Sequence, residues 1–383
     1  MKIQINPKDF LPKLRLAASV TANLDTLPIR QNVKMTTDKK SGAILQATDG
    51  EMAIRLEVGS RIMAKGETLL PPKRLVQILD LTDEATLTLE SVDAGLSVTG
   101  EIEDYILNTM PPNEFPDVDE FSATAYHEIP ALALKEMIRR TIFATNAENQ
   151  TFALGGVCFS MDGDDVSVVA TDGVRLAWQQ GSGNSVGDHK VEKAIVSVKT
   201  LQVLDRILGD KSIDADTDVQ IAVDVQYNNK GETFGTALFH CNGITLKTSL
   251  IQGRFPKWRE IIPMADKNDA PAKITCGTLL PAVLKAQVAT HDDYPGVEFA
   301  FTERRLTLQG QGRETGIAKI AVPVSFKGEP IKTTLSAKFM TGFLRVLPPD
   351  AKLSFFVPPD NEPVKITADD GDYTYVIMPM QPD

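Results

Sequence analysis

The sequence predicts an α+β protein built from three similar domains. Two types of amphipathic helix each recur three times, and runs of alternating apolar and polar residues, typical of strands, separate them. The chain has 383 residues, a length that suits two or three domains better than one. Each repeat of roughly 120 to 145 residues is long enough to bury a core of its own.

The first helix type follows a short strand-like stretch in every repeat. In the second copy, Leu134, Met137 and Ile138 give the apolar spacing of a helix with one buried face. Pro7 and Pro130 stand near the helix starts, where a missing backbone N–H costs little. The three copies occupy residues 6–20, 131–146 and 277–290.

The second helix type occupies residues 72–81, 197–209 and 336–346. Between the two helices, the first two repeats carry the pairs Asp49-Gly50 and Asp172-Gly173 inside alternating runs, which is the pattern most typical of a β-hairpin. The third repeat has "RRLTLQGQGRETGIAKI" at this place, and each repeat closes on a strand that runs toward a proline. The recurrences predict domains over residues 1–125, 126–263 and 264–383.

Charge is divided unevenly between the helices and the rest of the chain. The formal net charge is −11, which taken alone disfavours nucleic acid. The six helical windows nevertheless contain thirteen Lys or Arg and only four Asp or Glu, so they carry +9 and the remainder carries −20. Cations opposite an apolar stripe often do no more than solvate a helix. Because all six windows are net positive, a face shared by the helices would attract a polyanion without sequence preference.

No pattern for a metal, a cofactor or catalysis is present. Cys158, Cys241 and Cys276 lack paired spacing and the four histidines are scattered, so we expect neither a disulfide nor a metal site. No phosphate loop, dinucleotide fingerprint or Ser-His-Asp order occurs, and we therefore expect no cofactor and no enzyme activity. The absence of a long apolar run and of a secretory signal predicts a cytoplasmic protein.

Three motifs point to a family. They are "ATDGVRLAW" from Ala170, "LIQGRFPKWREIIP" from Leu250 and "YVIMPM" from Tyr375. With the threefold repeat, the whole chain resembles the bacterial DNA polymerase III β subunit, the sliding-clamp family. One of these motifs alone would be a weak sign, but three in order at matching positions of the repeat are specific.

The resemblance implies a head-to-tail homodimeric ring around double-stranded DNA. In this family the helices line a central hole and antiparallel sheets form the outside, so that topology rather than affinity keeps the processivity factor on DNA. The residues that would face DNA are Arg15, Lys73, Arg74, Arg139, Lys199, Arg206, Lys338 and Arg345. The resemblance further implies that the first domain meets the third domain of the partner, with Tyr105, Leu107, Val288 and Ala289 as interface candidates.

The resemblance also implies a hydrophobic pocket between the second and third domains. Short linear motifs of the replicative polymerase, the clamp loader and repair proteins would dock there. Methionines re-pack easily around different side chains, which suits a shared site, and Arg175 is expected to hydrogen-bond the backbone of an extended peptide. The implied lining is Leu154, Thr171, Gly173, Val174, Arg175, Leu176, Pro256, Ile261, Val376, Ile377, Met378, Pro379 and Met380.

The sequence departs from the family pattern at several positions. Val174 stands where a histidine is frequent, Thr151 and Glu260 stand where arginines are frequent, and Leu24 replaces a loop arginine that contacts DNA in relatives. The tail also continues through residues 381–383 after Met-Pro-Met. These changes leave the peptide preference and the DNA contacts open. A three-domain scaffold that binds proteins but not DNA is the alternative function, and the positive helices favour the clamp.

Overall fold

The computed structural model describes residues 1–22, 27–38, 42–146, 153–229, 231–263, 271–291, 293–359, 362–368 and 371–381. Each repeat contains two α-helices within these ranges, and every helix falls inside its predicted window or within one residue of it. The helices are α1 (Pro7–Ala18), α2 (Pro72–Leu81), α3 (Ala131–Thr141), α4 (Val198–Ile207), α5 (Cys276–Gln287) and α6 (Ala337–Leu344).

The strands also recur from repeat to repeat. The first repeat contains β1 (Lys2–Ile5), β2 (Val33–Asp38), β3 (Gly42–Thr48), β4 (Met52–Val58), β5 (Arg61–Ala64), β6 (Gly66–Leu70), β7 (Leu87–Val92), β8 (Gly95–Thr99) and β9 (Asp104–Leu107). The second contains β10 (Tyr126–Pro130), β11 (Gly156–Asp162), β12 (Asp165–Thr171), β13 (Arg175–Ser182), β14 (Asn184–Val186), β15 (Lys190–Ser197), β16 (Asp218–Tyr227), β17 (Thr233–Cys241) and β18 (Ile244–Ser249). The third contains β19 (Ala272–Thr275), β20 (Gly296–Thr302), β21 (Arg305–Gly312), β22 (Gly316–Pro323), β23 (Ile331–Ser336), β24 (Lys352–Phe356), β25 (Val364–Ala368) and β26 (Tyr373–Ile377).

These strands form four antiparallel sheets, two of which continue from one repeat into the next. The sheet orders are β5-β1-β7-β8-β9, β14-β10-β16-β17-β18-β4-β3-β2-β6, β15-β11-β12-β13-β26-β25-β24-β19 and β22-β21-β20-β23. At the first junction Leu246 of β18 lies opposite Ile54 of β4, and at the second Tyr375 of β26 lies opposite Ala177 of β13. The repeats are therefore joined edge to edge by backbone hydrogen bonds.

The helices cover the sheets with the apolar faces that the sequence predicted. In α1 the side chains of Phe10, Leu14 and Ala17 are buried. Farther along the chain, the ring of Phe343 in α6 stacks on Tyr375 in β26, with centroids 4.5 Å apart and planes 8° from parallel. One large hydrophobic core extends through all three repeats. Apart from Arg140 of α3, which is buried, the lysines and arginines of the helices are exposed or half-buried.

The predicted Asp-Gly hairpins are confirmed. Gly50 and Gly173 have φ values of 95° and 93°, a left-handed conformation that glycine adopts without strain. In each turn the aspartate side chain accepts hydrogen bonds from the backbone N–H groups two and three residues later, at 2.8–3.0 Å. The third repeat makes its corresponding hairpin between β21 and β22, with Gly316 at φ 88°.

The structure adds three observations on chemistry. Cys158, Cys241 and Cys276 are free and buried, and burial raises the pKa of the Cys158 thiol to about 12. Among the described residues, no group of three or more His, Cys, Asp or Glu side chains could hold a metal ion. None of the helices in the described ranges is long and apolar enough to cross a membrane.

Candidate functional site

The end of the chain is fastened to both the second and the third repeat. β26 pairs with β13, and beyond it the backbone N–H of Met378 donates to the carbonyl of Val174 at 2.9 Å. Two residues later the N–H of Met380 donates to the carbonyl of Thr334 at 2.8 Å, and the Tyr294 hydroxyl donates to the carbonyl of Gln381. Met-Pro-Met therefore crosses the junction in an ordered conformation.

A small hydrophobic cluster supports this junction from beneath. Leu176 and Val376 pack there with Phe255 and Trp258, and the rings of Trp178 and Trp258 lie 4.9 Å apart. Five of the predicted lining residues are nearly inaccessible in this structure, at 0–4% exposure. They are Leu154, Thr171, Leu176, Val376 and Ile377. These five residues support the predicted pocket from inside the protein, and its solvent-accessible area comes from the neighbouring residues.

The contact area of the predicted pocket is apolar and solvent-exposed. Val174, Ile261 and Met378 are 47%, 45% and 41% exposed. Pro256, Pro379 and Met380 are half-buried, and Gly173 is exposed in the hairpin turn. Glu260 is also exposed and pairs with Lys257 at 3.3 Å. Thr151 and Leu24 lie outside the described residues.

Arg175 differs from the sequence-based expectation. Its Nε donates to Asp172 at 2.9 Å and its Nη2 donates to the carbonyl of Phe143 at 2.6 Å. Its guanidinium also lies 4.2 Å from the ring centre of Phe339. Because these groups surround it and its side chain is only 13% exposed, Arg175 links the second repeat to the third. Its Nε and Nη2 donors are therefore already engaged within the chain.

The helices carry exposed cations, with one change to the charge count. All eight candidates for DNA contact are exposed. Arg140, which the charge count had included, is buried: it pairs with Glu136 at 2.6 Å, donates to Gln179 at 3.0 Å and lies 5.2 Å from the ring centre of Tyr373. Its charge is neutralised inside the protein and adds nothing to the surface.

Two of the eight candidates are already paired within the chain. Arg15 makes a bidentate contact with Asp80, at 2.5 and 2.6 Å, which ties α1 to α2. Lys199 at the start of α4 pairs with Asp49 in the first repeat. The other six make no ion pair within the described part of the chain and remain available to an anion. They are Lys73, Arg74, Arg139, Arg206, Lys338 and Arg345.

The predicted interface residues lie in the first repeat and in the third repeat. Tyr105 and Leu107 are on β9, an edge strand that pairs with β8 on one side and with no strand of the described residues on the other. Val288, just after α5, is 79% exposed, whereas Ala289 is 5% exposed and its carbonyl accepts a hydrogen bond from Thr315 at 2.7 Å. Ala289 is therefore part of its own domain, and its side chain is not offered to a partner.

Sequence reasoning missed two apolar residues on the free edges. Ile106 on β9 and Ile317 on β22 are 62% and 66% exposed. Alternation along a strand places neighbouring residues on opposite faces, so the sequence alone did not show that an isoleucine beside Tyr105 would stand in solvent. The exposure of these two isoleucines can be recognised only after the structure shows that β9 and β22 are edge strands.

Three repeats of two helices and two sheets, joined edge to edge and carrying a cationic helix surface, define a DNA sliding clamp. Three family models match the chain in order: the N-terminal domain of the DNA polymerase III beta subunit at residues 1–119, the central domain at 128–257 and the C-terminal domain at 259–381. The chain belongs to the DNA polymerase III beta subunit family. It is a non-catalytic processivity clamp of DNA replication.

Relatives match along the whole length. The chain is 26% identical over 386 residues to the beta sliding clamp of Proteus mirabilis and 24% identical over 390 residues to that of Pseudomonas aeruginosa, with 100% of both chains covered in each case. Among solved structures, the Pseudomonas aeruginosa sliding clamp bound to griselimycin superposes with a TM-score of 0.88 at 23% identity. The Thermotoga maritima DNA polymerase III beta subunit superposes with a TM-score of 0.84 at 19% identity. Both comparisons cover 100% of each chain and share the fold.

Proposed function

We propose that two copies of this chain join head to tail into a ring that encircles double-stranded DNA and slides along it. The carrying observation is the pattern of sheet edges. β4 is joined to β18, and β13 is joined to β26. β22 occupies the position of β4 and β13 in its repeat, β9 occupies the position of β18 and β26, and each has one side that no strand of the described residues pairs with. Joining β22 of one copy to β9 of the other repeats the two internal junctions and closes the ring.

The register of this third junction follows from the internal repeat. Counting along the paired strands, Ile317 corresponds to Leu176 and Ile106 corresponds to Val376, and these last two lie opposite each other. Ile106 would then face Ile317 of the other copy. Two positions away, Asp104 would face Lys319, which gives opposite charges across the ladder. An exposed apolar pair and a complementary charge pair both favour this closure.

Weak and reversible phosphate contact suits such a ring. The six unpaired helix cations are exposed and belong to four of the helices, α2, α3, α4 and α6, so they can attract the DNA backbone without reading its sequence. Paired Arg15 and Lys199 would contribute less. A closed ring needs only this weak contact, because dissociation requires opening the ring or reaching a DNA end.

The finer assignments belong to the same proposal. Exposed Val174, Ile261 and Met378 suit short apolar motifs of the replicative polymerase, the clamp loader and repair proteins. The domains are assigned to residues 1–125, 126–263 and 264–383, and the site of action is the cytoplasm. A scaffold that binds proteins alone would have no use for cationic helices in a chain of net charge −11.

Retention on DNA tests the ring. The protein, loaded onto nicked circular DNA, should stay bound during gel filtration and should be lost once the DNA is linearised. The triple variant Arg139→Glu, Arg206→Glu and Lys338→Glu should shorten the bound lifetime on circular DNA about tenfold, since three phosphate contacts become repulsive. The triple variant Lys65→Glu, Arg304→Glu and Lys327→Glu, which changes exposed cations outside the helices, is the matched control. Equal loss from circular and linear DNA would contradict encirclement.

A further inference from the structure

The junction between the first and second repeats copies the backbone of the proposed peptide pocket. The turns at residues 48–53 and 171–176 correspond position by position. In each, the glycine N–H donates to the threonine hydroxyl two residues earlier, at 3.0 and 3.1 Å. In each, the aspartate N–H donates to a carbonyl three residues later, at 3.2 and 3.3 Å. The two turns are equal within 0.1 Å in these contacts.

The strand that leaves each junction is held in the same way. Ser249, at the end of β18, donates its N–H to the carbonyl of Glu51 at 2.8 Å. Met378, just past β26, donates its N–H to the carbonyl of Val174 at 2.9 Å. Ser249 therefore occupies the position of Met378, and Glu51 occupies the position of Val174.

The segments that follow each repeat also correspond. Phe115 and Val118 are buried beneath the first junction, in a small cluster of their own. Phe255 and Trp258 are buried beneath the second. Both segments contain Phe-Pro followed by a second apolar anchor two residues on. All three components of the proposed peptide pocket, the turn, the strand end and the connecting segment, are thus present a second time.

The first junction encloses a groove with a different lining. Its cavity has a volume of about 320 Å³ and is bordered by Glu51, Asp117 and Asp119, with Arg30 and Lys247 as the cations. Asp119 and Lys247 pair with each other. Glu51 and Asp117 are exposed and make no ion pair within the described part of the chain. This volume falls in the range of ligand sites, roughly 300–1,000 Å³.

The side chains that differ between the junctions determine which ligand each can hold. Val174 and Met378 offer apolar area at the second junction, where Glu51 and Ser249 stand at the first. Asp117 likewise stands where the second junction has Lys257. Free carboxylates in a groove attract cationic side chains, and they repel phosphate and acidic segments.

We propose that the groove between the first and second repeats is a second docking site, and that it takes a short extended peptide rich in lysine or arginine. Glu51 and Asp117 contact the cations of this peptide. This proposal rests on the proposed function in one respect, because the comparison assumes that the second junction binds a peptide. A partner with one apolar and one basic segment would contact two junctions of the same copy.

Fluorescence anisotropy with a labelled octapeptide of alternating lysine and serine tests this site, at about 0.15 M salt so that distant charges are screened. We expect saturable binding with one site per chain, and none for the octapeptide with glutamate in place of lysine. The double variant Glu51→Gln and Asp117→Asn should weaken binding about fivefold, since each exposed charge pair contributes little.

The matched control is the double variant Asp93→Asn and Glu329→Gln, which removes the same charge from exposed sites elsewhere and should change the affinity less than about twofold. Equal losses in the two double variants, or no saturable binding, would overturn the proposal. The variant Met378→Ala with Met380→Ala separates the two sites, because it should spare the lysine peptide while weakening apolar motifs. The two hypotheses can fail separately. If the protein binds the lysine peptide but is not retained on circular DNA, the groove is supported and the ring is contradicted.

Discussion

At the scale of single residues, two arginines make most of their contacts inside the chain, Arg140 in α3 and Arg175 in β13. Arg175 was expected to bind a peptide and Arg140 was counted among the helix cations, and both are enclosed by acceptors and aromatic rings of the chain itself. Guanidinium groups suit such places because they can donate several hydrogen bonds and stack on rings at once. Ala289, which was expected at the partner interface, is only 5% exposed, and its carbonyl accepts a hydrogen bond from Thr315.

Replacement of Arg175 tests its bracing role. Arg175→Met removes the ion pair to Asp172 and the hydrogen bond to Phe143, and it leaves a largely buried carboxylate without its partner. We expect it to lower the free energy of unfolding by about 2 to 3 kcal/mol, measured by denaturant titration. Arg206→Met, which changes an exposed arginine without an ion pair, should stay within about 0.5 kcal/mol of the parent. A similar decrease in the free energy of unfolding in both variants would show that the contacts of Arg175 do not stabilise the protein.

At the scale of elements, a histidine pair joins four segments of the second repeat. Val223 of β16 donates its N–H to Nε2 of His189 at 3.1 Å, so Nδ1 of His189 carries the proton and donates to Nδ1 of His127 at 2.7 Å. Nε2 of His127 then donates to the carbonyl of Gly163 at 3.1 Å. Each nitrogen is satisfied only when both rings are neutral, and burial lowers the pKa of both histidines.

This pair predicts acid sensitivity with a defined sign. Asp162 and Asp164 act to raise the pKa of His127, but desolvation outweighs them. As the pH falls below about 6.5, the unfolded chain takes up protons that the folded chain does not, so the free energy of unfolding decreases. The decrease levels off below the folded pKa values. Above about 6.5 this contribution to the pH dependence vanishes.

Urea unfolding at about pH 7.5 and about pH 5.5 measures this decrease. His127→Gln removes one titrating group, so the difference between the two pH values should become smaller, whatever the variant's stability at neutral pH. His291→Gln changes an exposed histidine and should keep the difference of the parent protein. An unchanged difference in His127→Gln would contradict the assignment.

At the scale of the whole molecule, the proposed ring would close through two edge strands, one in the first repeat and one in the third. β9 ends the first repeat's outer sheet, and β22 ends the sheet of the third repeat. Exposed sheet edges invite pairing with other chains. Each edge presents an exposed isoleucine, and in the proposed ring the opposite charges of Asp104 and Lys319 would favour an antiparallel partner in one register.

A charge exchange tests this register. Asp104→Lys should weaken the dimer about tenfold, because two lysines would face each other across the junction. Adding Lys319→Asp to the same chain restores opposite charges and should bring the dimer back to within a few-fold of the parent, as measured by sedimentation velocity. Ile106→Asp should also give monomers, while Val92→Asp, at an exposed apolar site elsewhere in the first repeat, should not. A double variant weaker than either single variant would exclude the register.

The amino-acid sequence by itself determined the repeat, the six helices, the hairpin turns and the sign of the helix surface. These are local properties, since apolar spacing, Asp-Gly pairs and charge can be counted along the chain. The motifs also sufficed to indicate the family. Val174, Ile261 and Met378 could be assigned to one surface because the motifs that contain them recur together in that family.

Only the tertiary structure decided which charges are free, which edges are unpaired and which apolar side chains face solvent. Arg175 and Arg140 look like surface residues until Asp172 and Glu136 are found beside them. Ile106 and Ile317 look like core residues until β9 and β22 prove to be edges. Burial and pairing depend on residues that are far apart in the chain. The sequence of one segment therefore does not show which other segments pack against it.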